Sequence, residues 1–69
     1  MLKEHDVVAL IEERPADGLR KGDVGAIVHC YHDGDVYEVE FVDQRGRTSR
    51  VVSLPGDHLL KLNLLSLTA

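Results

Sequence analysis

Apolar and polar residues alternate most regularly over Val36–Val42, VYEVEFV. Tyr37, Val39 and Phe41 fall on one side and Glu38 and Glu40 on the other. That period of two gives a strand one buried and one wet face. The pattern places Tyr37, Val39 and Phe41 in a core and leaves the two glutamates in water. A strand before it is predicted over Asp23–Tyr31 and one after it over Thr48–Leu54. In the latter, Val52 and Leu54 point inward, with Thr48 and Arg50 on the same side. His32-Asp33-Gly34-Asp35 and Asp43-Gln44-Arg45-Gly46-Arg47 are the turns between them, because Asp-Gly and a late Gly tolerate the positive φ that tight hairpins need. Gly25, inside a strand, marks a bulge or the close approach of another backbone.

The flanking segments are less regular. His5–Ile11 (HDVVALI) is β-branched and followed by Pro15, so it reads as a first strand. It does not alternate cleanly, which implies partial cover on both faces. Glu12–Gly22 is a loop marked by Pro15, Asp17-Gly18 and Gly22. Leu19, its one large apolar residue, is expected to pin it to the core. Leu54-Pro55-Gly56-Asp57 is a turn, with Asp57 expected to cap a short helical turn. Leu59–Leu62 is a fifth strand that pairs back to the first.

Five short strands without helical periodicity predict an all-β fold, a small five-stranded antiparallel barrel. A long first loop, two tight hairpins and a short turn before the last strand follow the SH3-like plan. Residues 1–62 form this single domain. Residues 63–69 are an apolar tail, in which Leu64, Leu65 and Leu67 have no obvious place in so small a core.

Composition narrows the function classes. A chain of 69 residues has a thin core and marginal stability. Cys30 is its one cysteine, so no intrachain disulfide reinforces it. The first fifteen residues lack the pattern of a signal peptide, and no apolar stretch is long enough to span a membrane. A cytoplasmic location is the expectation. The net charge of −4 disfavours general nucleic-acid binding, which needs Lys and Arg on phosphates. Tyr31, Tyr37 and Phe41 are too few for a base-stacking platform as well as a core.

Four blocks carry a resemblance: DVVAL (Asp6–Leu10), GLRKGDVGAIV (Gly18–Val28), DVYEVEFVDQRGRT (Asp35–Thr48) and VSLPGDHL (Val52–Leu59). Together they resemble a family of small bacterial proteins, domain of unknown function 4926, up to about Leu62. The resemblance implies an SH3-like barrel and brings no catalytic or binding residues with it. GDVGAIV is also similar to the opening of KOW-type modules.

Residues with chemical potential do not converge. His29-Cys30-Tyr31-His32 sets His29 and Tyr31 on one strand face and Cys30 and His32 on the other. A zinc site needs about four converging ligands at paired spacings, and those spacings are lacking. No metal, no cofactor and no enzymatic activity are expected, because a small filled barrel has no room for a substrate cleft. Glu38 and Glu40 are expected to be solvated, with a cross-strand ion pair to Arg50 as an option.

The basic residues form two groups: Arg14, Arg20 and Lys21 in the first loop, and Arg45, Arg47 and Arg50 around the second hairpin. On the SH3-like plan these connections are expected at opposite ends of the barrel, which would prevent one phosphate-binding track. The leading expectation is a non-catalytic module that binds a protein partner through Arg14, Leu19, Arg20 and Lys21, through the tail leucines Leu64, Leu65 and Leu67, or both. Neutralisation of a basic partner, as by an antitoxin or immunity protein, is one form of it. The alternatives are a weak KOW-like nucleic-acid module using Arg45, Arg47 and Arg50, and a homo-oligomer joined by the C-terminal leucines.

Overall fold

In a computed structural model, residues 2–31, 35–42 and 49–63 are described. Five strands occupy most of them: β1 Val7–Leu10, β2 Val24–Cys30, β3 Val36–Val42, β4 Ser49–Pro55 and β5 Leu59–Lys61. All pairings are antiparallel, in one sheet of order β4-β3-β2-β1-β5. The first strand therefore sits inside the sheet, with the last strand on its far side. The five-stranded antiparallel expectation holds. Closure by hydrogen bonds does not, because no ladder joins β4 to β5 among the described residues. A single turn of 3-10 helix, Gly56–His58, carries the chain from one to the other. No helix among the described residues is long and apolar enough to cross a membrane.

The alternation in β3 positions the core. Tyr37, Val39 and Phe41 are buried, and they meet Val8, Leu10, Leu19, Ile27, Val52, Leu54 and Leu59 in one cluster. Every strand contributes to it, so the sheet coils around its own apolar face. Burial of side chains of this size stabilises the fold by roughly 1.5–3 kcal/mol each. Leu2 and Cys30 pack against the cluster from its margin.

Two irregularities in β2 shape the sheet. At Gly25 the strand runs so close to β3 that a Cβ would lie 2.6 Å from the Glu40 carbonyl oxygen and 2.9 Å from Phe41 Cδ1. Of the two roles a strand glycine suggests, Gly25 fills that of close approach. The bulge lies three residues on. Ile27 pairs with Val39 and His29 with Glu38, which leaves Val28 as the extra residue. The bulge resets the alternation: Val28 and His29 are both exposed, and Cys30 turns in toward the core.

The strand limits match the expectations closely in β3 and to within one or two residues elsewhere. Asp57 is a correction. It lies inside the 3-10 turn, and Pro55 occupies the N-cap position without a side-chain bond. The hairpin residues His32, Asp33, Gly34 and Asp43–Thr48 lie outside the described residues.

Candidate functional site

The first loop is built by its own acids. Pro15–Asp17 forms a turn of 3-10 helix, with proline at its start where a missing N–H costs nothing. Gly18 closes it in the left-handed conformation, φ 72°. Arg14 and Leu19 then exchange main-chain hydrogen bonds across this turn. Leu19 is thereby held in the core, 8% exposed, as its lone apolar character suggested. Glu13 Oε2 accepts from the Lys21 N–H at 2.6 Å, Asp23 Oδ2 accepts from the Arg20 N–H at 2.9 Å, and Asp17 Oδ2 accepts from Arg14 Nε at 3.1 Å. Three of the carboxylates that dilute the charge of this loop are thus engaged in folding it. The side chains of Arg20 and Lys21 have no partner among the described residues.

The ends of the molecule are arranged differently from the sequence expectation. Arg50 Nη1 donates to the Asp17 carbonyl oxygen. The first loop and the start of β4 therefore meet at one end of the sheet, and are not at opposite ends. The reason is antiparallel order itself: β1 and β3 run in the same direction, so the connections that follow them leave from the same end. Arg14, Leu19, Arg20, Lys21 and Arg50 all belong to this end. Arg45, Arg47, Leu64, Leu65 and Leu67 lie outside the described residues.

The same contact removes the Arg50–glutamate pair. Arg50 stands opposite Phe41, on the concave side with Val52 and Leu54, whereas Glu38 and Glu40 stand on the convex side opposite Ser53 and Val51. Glu38 is part of a polar row instead. It lies between His29 on β2 and Ser53 on β4. Tyr31 OH donates to Glu38 Oε2 at 2.6 Å, and Ser53 Oγ donates to Oε1 at 2.7 Å. The rings of His29 and Tyr31 meet edge to face, with centroids 4.8 Å apart. The Tyr31 bond, then that from Ser53, holds the Glu38 carboxyl below its ordinary pKa, and the same bond raises the Tyr31 phenol. Among the described residues no three His, Cys, Asp or Glu side chains come together as metal ligands would.

Above this polar row the convex face turns apolar, a feature the sequence reading did not single out. Ala9 pairs with Val24 on one side and Leu60 on the other, and the register of Gly25 on Phe41 sets Val24 beside Val42. A row of apolar side chains thus crosses β3, β2, β1 and β5. Val42 is 56% exposed, Val24 49% and Leu60 55%. The next row is Val51, Glu40, Ala26 and Val7, with Val51 55% exposed. The uneven alternation of β1, apolar on both sides, was the one sequence signal of this face. Arg20 and Lys21 lie in the turn that leads directly into Val24.

A family model, Domain of unknown function (DUF4926), matches residues 4–61. No curated protein and no solved structure gives a significant match.

Proposed function

The chain belongs to the DUF4926 family, and from that premise we propose that it is a non-catalytic protein-binding module that works through the convex face of its sheet. The observation that carries this reading is the apolar row Val42–Val24–Ala9–Leu60, bordered by Val51. A strand face that only meets water is ordinarily polar. Large apolar residues clustered on such a face, with charges at the margin, are the composition of a protein interface. Arg20 and Lys21 form one margin and Glu38 with His29 the other.

The meeting of Arg50 with the first loop at one end does not turn the reading toward nucleic acid. Among the described residues, Arg14, Arg20, Lys21 and Arg50 share that end with Glu12, Glu13, Asp17 and Asp23, four cations against four carboxylates. Phosphate recognition needs a net positive field.

The test is recovery of the tagged protein from its own cells, beside a Val24→Asp variant whose circular dichroism matches the wild type. A stoichiometric protein retained at high salt by the wild type and lost by the variant supports the reading. A partner held equally by both, or nucleic acid that is lost at high salt, overturns it.

A further inference from the structure

We infer that the convex face binds a second copy of this chain, with two sheets packed face to face about a two-fold axis that runs along the Val42–Val24–Ala9 row. The inference rests on the protein-binding reading above and names its partner.

The arrangement of unpartnered charge carries it. An isologous contact needs a patch complementary to itself. Here the apolar row has Glu40 on one side and the Arg20–Lys21 turn on the other. Glu40 pairs with Ala26 and Val51 across the sheet, one row below Val24 and Val42, and no cation reaches it among the described residues. Arg20 and Lys21 precede Val24 at the opposite margin; the carboxylates of that turn, Asp23 and Glu13, are taken up by the main-chain N–H groups of these two residues, whereas the two cationic side chains are without a partner among the described residues. Rotation by a half-turn about the row maps the row onto itself and exchanges its two margins. Glu40 of each copy then faces the Arg20–Lys21 turn of the other. One apolar stripe is buried and two sets of charges are paired by a single operation. Strands of the two copies run nearly antiparallel, the aligned mode in which sheets pack.

The size of the domain points the same way. Among the described residues its core holds ten buried side chains. Domains this small commonly gain stability from oligomerisation.

Sedimentation equilibrium on the full chain tests the inference. The wild type is expected to dimerise, and Val24→Asp to be monomeric with unchanged circular dichroism. Both Glu40→Lys and Lys21→Glu weaken the dimer by at least about tenfold at low salt, and the two changes in one chain restore it. That rescue is a readout which a merely misfolded variant does not give. A dimer untouched by Val24→Asp overturns the inference, since its contact then lies elsewhere, at the open edge of β4 for example. A wild type that stays monomeric at all concentrations also overturns it. If Val24→Asp still abolishes capture of a different protein in that case, the broader binding reading stands alone.

Discussion

Arg50 and Asp17, thirty-three residues apart, are joined by a hydrogen bond from guanidinium to main-chain carbonyl. It ties the first loop to the strand that begins at the far side of the sheet. The bond uses a carbonyl, so no substitution of the Asp17 side chain removes it directly. Arg50→Ala does remove it, and the exposure of the site limits the loss to about 1 kcal/mol. Urea unfolding is expected to show a lower midpoint at an unchanged slope. No shift would mean that the loop is held by its own acids and Leu19 alone.

Leu19 is the apolar anchor of that loop. Leu19→Ala leaves a void under it and is expected to destabilise by about 2–4 kcal/mol. Hydrogen exchange of the Arg14 and Leu19 amides, which bond to each other's carbonyls, should accelerate more than that of β3. Equal acceleration throughout would show that loop and sheet open as one unit.

Gly25→Ala addresses the close approach of β2 to β3. The added methyl meets backbone, the Glu40 carbonyl at 2.6 Å, and backbone cannot rotate away as a flexible side chain can. A loss of about 1–3 kcal/mol is expected, as for other overpacked sites. Thermal unfolding within error of the wild type would contradict that spacing.

The bond between Tyr31 and Glu38 predicts a pH dependence with two limbs. The Glu38 carboxyl is lowered in the folded chain. Its contribution is present above the unfolded carboxylate pKa and lost as pH falls through the folded value. The Tyr31 phenol is raised. Its contribution is complete below the unfolded tyrosine pKa and lost as pH rises through the folded one. The difference in unfolding midpoint between wild type and Tyr31→Phe should be largest between about pH 5 and pH 10 and shrink on both sides. A difference that is flat across pH would assign the effect of Tyr31 to packing.

Much of this fold is written in local pattern. The strict alternation of β3 gives its limits and its buried side, and the isolation of Leu19 among polar residues gives its anchoring role. Other features depended on combining elements. Arg50 shares parity with Val52 and Leu54, so once those two were placed inward the arginine had to leave the side of Glu38 and Glu40. Ser53, of opposite parity, was the available partner for Glu38. The meeting of the first loop with β4 follows from antiparallel strand direction, and the SH3-like analogy obscured it. The bulge at Val28 carries no glycine or other local mark. Its register exists only in the pairing of two strands. The apolar convex face is the hardest to read in advance, since each valine in it is individually ordinary and only the sheet order lines them up.

That order has a consequence for the chain as it is made. β1 is an interior strand, but the neighbour on its second edge is β5, whose last pair sets Lys61 opposite Val8. A ribosome releases β1 through β4 first. Until the final strand emerges, the main-chain groups along one side of β1 have no ladder to join, beside a core that still lacks Leu59. The three residues of β5 are thus the latch that covers this side of β1, and a chain that has not yet docked them presents it to other chains.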